Sequence, residues 1–459
     1  MTTLTRPGLR RFAVAASAAF LAGCASLSQD GGLDDVARMT QERIAQPAPL
    51  KRDQDGQAAR AEITALLSKP LGADAAVRIA LLNNPGLQAT LADLAISETD
   101  FVQAGRLPNP RFGFGRVRGG GEAEIDRSLT FDLAALLTLP ARSRIEGRRF
   151  EQAKLQAAMQ SVKLAADTRK AWYTAVAAAQ ASSFADQVRG SAEAAAELAA
   201  RMRAAGNWSA LDAARERAFY QDALTQQAQA RLQATTAREE LVRLLGLWGP
   251  SIDFTLPDRL PDLPAQPRLA ANAEADALSQ RLDVLIARQD AQATAQALGL
   301  TQTTRFINVF DAGYANKSTT GAPRENGYEV SLELPLFDWG GARVARAQAS
   351  YMAAVHRTGD VAVKARSEVR QAYASYRTTY DIARHYRDDI VPLRKQIADE
   401  VLLRYNGMLA STFELLAESR EQLTAVNAAI AAQRDFWIAD TNLQFAMNAG
   451  GPTDSRTAQ

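Results

Sequence analysis

Histidine and cysteine are almost missing: two histidines and one cysteine occur in 459 residues. His356 and His385 have no Cys or His neighbour at ligand spacing, which speaks against a metal site and leaves no metal expected. A single cysteine excludes an internal disulfide. The chain has no Gly-rich phosphate loop, no nucleophile elbow and no Cys pair, so neither catalysis nor a cofactor is expected. Charge imbalance is missing too. The formal excess is +2, and without residues 1–23 the chain carries 50 basic against 51 acidic side chains. That balance argues against a broad nucleic-acid-binding face. Aromatic residues make up 7%, and what fills the long stretches is Ala, Gln, Arg, Glu and Leu, a composition suited to packed helices.

The N-terminal segment is basic, then apolar: Arg6, Arg10 and Arg11 precede the run Phe12 to Phe20. Such a segment reads as a secretion signal, and the run is shorter than the ~20 residues a membrane-spanning helix needs. It ends in Leu21-Ala22-Gly23-Cys24, which resembles a bacterial lipobox. The resemblance implies cleavage before Cys24 and a covalent lipid on its thiol. Ala25, rather than Asp, resembles the outer-membrane sorting choice. Acyl chains anchor at about 0.8 kcal/mol per buried CH2.

The strongest signal is a repeat at a shift of 201 positions. Leu129-Thr130-Phe131-Asp132-Leu133 falls on Val330-Ser331-Leu332-Glu333-Leu334, and Ala141-Arg142 on Ala342-Arg343. Asp167 to Trp172 falls on Glu368 to Tyr373, and Arg203 and Gly206 on Arg404 and Gly407. One position later in register, Ser209, Asp212 and Glu216 fall on Ser411, Glu414 and Glu418. Each copy is expected to run helix, strand, loop, strand, very long helix, glycine tip, long helix. The expected division is a signal peptide at 1–23, a lipid-anchored lead at 24–70, a first repeat at 71–246, a Pro-rich connector at 247–269, a second repeat at 270–449 and a loose tail at 450–459.

The first helices are expected over roughly 72–104 and 272–300. Residues 142–205 hold no proline, and apolar residues recur there in steps of three and four, the seam of a packed helix. Some 60 residues at ~1.5 Å each make a rod of ~90 Å, too long for a compact core. Pro392 in the second copy and Gly190-Ser191 in the first predict a bend at matching places.

Strands are expected at about 111–117, 125–133, 305–314 and 327–334. Tyr328, Val330, Leu332 and Leu334 alternate with Glu329, Ser331 and Glu333. Ile125, Leu129, Phe131 and Leu133 alternate with Asp126, Ser128, Thr130 and Asp132, and Arg127 interrupts the apolar series. An apolar face opposed by an acidic one suits a membrane barrel, with two solvated hairpins as the alternative. The polar stretches Gly119 to Gly121 and Asn316 to Asn326 read as external loops. Four strands cannot close a barrel, for which ~8 is the practical minimum, so membrane-spanning strands require several copies.

Leu334-Pro335-Leu336-Phe337-Asp338-Trp339-Gly340-Gly341-Ala342-Arg343 resembles the strand-to-helix corner of TolC-type outer-membrane efflux proteins. Arg106-Leu107-Pro108-Asn109-Pro110 is similar to the helix-to-strand corner, and Asn84-Pro85-Gly86-Leu87 also fits. In the first copy Pro140 stands at the matching corner without the glycine pair. The resemblance spans roughly 70–448. It implies a mainly helical protein with a membrane β part: a homotrimer whose 12-stranded barrel continues into a helical barrel, conducting substrate passively. It implies a periplasmic adaptor and an inner-membrane pump as partners, with docking at the tips that carry Arg203, Gly206, Arg404 and Gly407. Glu414 then becomes a candidate acid at the tunnel entrance. A secretion duct of the same fold and, from another class, a coiled-coil adaptor lipoprotein are the competing readings. A lipid-anchored enzyme is disfavoured by the missing acid–base set.

Overall fold

A computed structural model describes residues 26–50, 56–268, 273–306 and 309–450. The signal segment, Cys24 and the tail from residue 451 lie outside the described residues. The chain divides into two compact units. One comprises Met1–Asp35, Leu91–Ala157 and Leu285–Val361, the other Val36–Thr90, Ala158–Val284 and Ala362–Gln459.

The elements run α1 (Leu33–Ile44), α2 (Gly56–Leu67), α3 (Ala73–Asn83), α4 (Pro85–Ala104), β1 (Arg111–Gly119), β2 (Glu122–Asp132), α5 (Leu133–Ala204) and α6 (Ala210–Leu245). After a short 3-10 turn at Gly249–Ile252 come α7 (Ala273–Gln280), α8 (Leu282–Thr304), β3 (Phe310–Thr319), β4 (Glu325–Leu332) and α9 (Gly341–His385). A π turn at Tyr386–Ile390 leads into α10 (Val391–Asn406), and α11 (Thr412–Asn448) follows.

The first unit contains one antiparallel sheet in the order β1-β2-β3-β4. The β1–β2 hairpin turns on two residues only, Gly120 and Gly121, at φ +63 and +90. That pair of left-handed residues is what a tight hairpin turn demands, so of the expected stretch Gly119 to Gly121 only Gly119 joins the strand. The second expected loop also shrinks. Asn316 pairs with Asn326 inside the ladder, leaving Thr320 to Arg324 as the turn.

β3 begins five residues later than expected because α8 persists through Thr304. Thr303 and Thr304 return their hydroxyls to the carbonyls of Gly299 and Leu300 at 2.9 Å each, a bond that keeps threonine compatible with a helix. Phe101 and Phe150 stack at 6.0 Å in this unit. The N-terminal lead is tied down as well: Ser28 donates to Glu98 through its N–H at 2.7 Å and its hydroxyl at 2.5 Å.

The second unit is held by apolar and aromatic packing. Trp172, Tyr173, Val176, Leu241, Leu245 and Ile79 share one buried cluster, and Tyr376, Tyr380 and Phe436 centre another. The Pro-rich connector is strapped onto these aromatics. Trp437 and Gln433 both donate to the Pro261 carbonyl, at 3.0 and 2.6 Å, and Tyr380 donates to those of Pro264 and Ala265. Phe254 and Leu260 of the connector are themselves buried.

Both expected first helices are broken. Pro85 ends α3, and the side chains of Asn83 and Asn84 donate to the carbonyls of Leu244, Leu245 and Gly246, closing the C-terminus of α6. The second break falls at Arg281, 1% exposed, whose guanidinium holds Asp283 at 2.6 Å and Glu368 at 2.7 Å. Neither a proline nor a glycine marks that place.

The long helices depart from expectation in two places. α5 runs unbroken for 72 residues, so Gly190-Ser191 does not interrupt it. Only the second copy is interrupted, where the π turn ends at Ile390 and Pro392 stands in the first turn of α10. Proline has no N–H to give the preceding turn, and the wider π spacing accommodates that loss.

Candidate functional site: the two-faced sheet and the helical tips

Residues directly opposed in an antiparallel ladder project to the same face, and successive residues alternate. The register therefore sorts every side chain of the sheet. Phe112 opposes Leu129, which opposes Tyr314, which opposes Tyr328. The neighbouring rows are Phe131–Ala312–Val330 and Phe310–Leu332. All are on one face, and the large ones except the half-buried Phe310 are solvent-exposed, Tyr328 at 92% and Phe112 at 69%. A contiguous exposed apolar surface of this kind marks a contact with lipid or protein.

The opposite face holds Glu122, Glu124, Asp126, Asp132, Asp311, Glu325 and Glu329, with glycines 113, 115, 313 and 327 between them. Its two bases are matched. Arg111 meets Asp311 at 3.1 Å and Lys317 meets Glu124 at 2.5 Å. The face nonetheless remains acidic. β1 and β4 each leave one edge unpaired in the chain.

The corners that join sheet to helix differ between the copies. Pro108 and Pro110 lie between α4 and β1, where Pro110 withholds an N–H just before pairing begins. Pro335 follows β4, and Gly340 then takes φ +74. A β-carbon at Gly340 would sit 2.6 Å from the Arg305 carbonyl oxygen, so the turn needs glycine twice over. Gly341, by contrast, has open space around it and starts α9.

Pro140 is not a corner, which corrects the expectation. It lies inside α5. The turn from strand to helix occurs at Asp132, whose carboxylate accepts the Ala135 N–H at 2.7 Å and so starts the helix directly. The turn that Pro140 disrupts is held by side chains: Thr138 donates to the Ala134 carbonyl and Arg142 to that of Ala135. The apolar stretch Ala134 to Leu137 is thus the first turn of a helix, with Leu137 exposed.

The tips are helix reversals capped by one device. At α5–α6, Gly206 takes φ +79, the Asn207 N–H returns to Met202 O at 2.9 Å, and the Gly206 N–H to Arg203 O at 3.0 Å. At α10–α11 the same two bonds run from Leu409 to Arg404 O and from Met408 to Tyr405 O. Here the left-handed residue is Met408 at φ +61, while Gly407 sits at φ −82. Gly407 is therefore not the counterpart of Gly206 in conformation. The one-residue register slip precedes the left-handed position, and Met408 occupies it.

Ser209 and Ser411 then cap the next helices, accepting from Asp212 N and Glu414 N at 3.1 Å each. Glu414 is exposed in the first turn of α11, where a carboxylate complements the helix dipole. Arg203 and Arg404 are exposed, and so are Met408 at 94% and Leu409 at 76%.

One pair near the tips has no sequence signature. Arg420 of α11 reaches Glu216 of α6, and that carboxylate is fully buried. Among the described residues no group of three or more His, Cys, Asp or Glu could hold a metal ion. No described helix is long and apolar enough to cross a membrane.

No protein-family model and no curated protein matches the chain significantly. Solved structures do. The CmeC outer membrane channel of Campylobacter jejuni is 15% identical, with a TM-score of 0.72 over 82% of this chain and 85% of that one. The open state of the Neisseria gonorrhoeae MtrE outer membrane channel is 19% identical, with a TM-score of 0.68 over 82% and 88%. The outer membrane protein VceC of Vibrio cholerae is 16% identical, with a TM-score of 0.68 over 82% and 96%. The chain has the fold of these outer-membrane proteins.

Proposed function

We propose that this chain is one protomer of an outer-membrane exit duct, conducting substrate passively in a tripartite efflux system of the TolC type. The observation that carries the reading is the sheet: four strands, an exposed aromatic face, an acidic face behind it and two unpaired edges. Unpaired backbone edges are not tolerated in lipid, so closure must come from other copies. Strands of 9, 11 and 10 residues match the ~9–11 of a tilted membrane strand, and β4 is one shorter at 8. Three copies give the 12-stranded barrel that the resemblance implies, with the aromatic rows toward lipid and the carboxylates toward the pore.

Beyond the membrane the long helices form the periplasmic wall, and an internal duplication accounts for their paired order. The exposed tips, with Arg203, Arg404, Met408 and Leu409, suit docking of a periplasmic adaptor linked to an inner-membrane pump. Glu414 adds negative charge at the entrance as well as complementing the dipole of its helix. Cys24 supplies the lipid anchor, and no cofactor is required.

The test is assembly. Full-length protein from an outer-membrane fraction should migrate as a heat-modifiable trimer with a membrane-embedded β signal, and deleting it should abolish export by a linked pump. A protein that proved soluble and monomeric once Cys24 was replaced by serine would overturn the reading.

A further inference from the structure

Three arginines share the aromatic face of the sheet. Arg118 opposes Ala123, Arg116 opposes Ile125, and Arg127 opposes Phe114 and Asn316. Arg116 is thus diagonal to Arg127 and two residues from Arg118, separations of roughly 7 Å each. All the sheet's carboxylates are on the other face, and so are the two bases that pair with them. Arg116 and Arg118 are exposed and make no ion pair among the described residues.

Arg127 is held in place. It donates to Asn316 Oδ1 at 3.1 Å, Asn316 Nδ2 donates to Asn326 Oδ1 at 2.8 Å, and the Tyr314 hydroxyl donates to the same oxygen at 2.7 Å. This row, which also carries Phe114, is the last with an aromatic residue before the turn. Beyond it, toward the Gly120-Gly121 turn, come the other two guanidiniums. The helices join the sheet at the opposite end of the strands.

We propose that Arg116, Arg118 and Arg127 form a binding site for the phosphate groups of a phosphorylated glycolipid in the outer leaflet. The inference rests on the duct reading, which sets the turn end of the sheet outward and this face against lipid. Guanidiniums bind phosphate oxygens in bidentate fashion, and three without carboxylate partners match a doubly charged headgroup. The aromatic rows next to them fix the depth, so the arginines meet phosphates rather than acyl chains. Soluble anions would not share that geometry, because only a lipid fills the apolar rows and the cationic row together.

The test uses full-length protein in phosphatidylcholine vesicles doped either with lipid A bearing both phosphates or with dephosphorylated lipid A. After re-extraction in mild detergent, lipid retained per protomer is counted by mass spectrometry. Wild type should retain the phosphorylated form at least about tenfold better. The Arg116→Gln, Arg118→Gln, Arg127→Gln variant should lose that preference while remaining a heat-modifiable oligomer. Equal retention of the two lipids by a well-inserted wild-type oligomer overturns this proposal and leaves the duct standing. Failure to insert or oligomerise at all sinks both. If the triple variant does not assemble, Arg118→Gln alone at the exposed outer row should weaken the preference, and an unchanged preference counts against the site.

Discussion

Arg420 Nη2 on α11 lies 2.6 Å from Glu216 Oε2 on α6, and the glutamate side chain is 1% exposed. Glu216 Oε1 and Arg420 Nε find no partner in the described structure, while the guanidinium lies over the Phe219 ring at 4.1 Å. The pair joins the two helical hairpins near their tips. Its charges compensate each other, so removing one is worse than removing both. Arg420→Ala should destabilise the folded unit by about 3 kcal/mol, near the lower end for a broken buried pair because the arginine is partly exposed. Glu216→Leu with Arg420→Met should recover most of that loss. Urea midpoints of the three proteins check this, and equal midpoints for the single and double variants would count against it.

The tips separate two glycines that look alike in sequence. Gly206 needs φ +79, a region that costs a side-chain-bearing residue about 1–2 kcal/mol. Gly407 does not. Gly206→Ala should therefore open the first tip to limited proteolysis, whereas Gly407→Ala should leave the second as it was. Met408→Gly should protect the second tip, since it relieves the φ +61 strain. Cleavage rates at the two tips read all three outcomes, and a sensitive Gly407→Ala protein would falsify the assignment.

How far the chain could be read from its residues follows from where its periodicities are local. The alternation of apolar and acidic residues along β2 and β4 has period two, so the two-faced sheet was legible before any register was known. Arg127 stood out as an interruption for the same reason. Features set by partners far along the chain were not legible. Arg281 stands at a helix break with Glu368 and the carbonyls of Ala365 and Ala446 gathered around it from distant stretches, and only Asp283 is local. Pro140 reads as a corner locally, yet Asp132 had already started the helix. Glu216 looks like an ordinary helical acid until Arg420 arrives from 204 positions away.

The corner at the end of β4 yields a sharp contrast between adjacent glycines. A β-carbon at Gly340 would press on the Arg305 carbonyl at 2.6 Å, in a left-handed backbone, while at Gly341 it would meet nothing within 4 Å. Gly340→Ala should cost at least ~1–2 kcal/mol from φ alone and displace the start of α9. Heat-resistant oligomer recovered from membranes should fall severalfold for Gly340→Ala and stay at the wild-type level for Gly341→Ala. Equal recovery would show that the corner tolerates a shift.

Asp440 is buried at 5% exposure, accepts from Gln444 Nε2 at 2.6 Å and lies 3.7 Å from Arg268 Nε. Burial pushes its carboxyl up, against the opposing pull of Arg268, Gln444 and Arg169. The folded protein therefore holds that proton more tightly than the unfolded chain does. This contribution to stability is full below the usual aspartate range and is lost as pH rises through the elevated value. Other carboxylates act in the opposite sense, Asp186 and Asp388 being held low by their hydrogen-bonding partners Gln227 and Arg387 first of all, so the informative quantity is a difference between proteins. Relative to wild type, Asp440→Asn should gain thermal stability as pH is raised from acid to neutral, because the amide keeps the hydrogen-bonded shape without a charge to bury. Melting midpoints of both proteins across that range decide it: parallel curves would mean that Asp440 is ionised at no cost and that Arg268 fully offsets its burial.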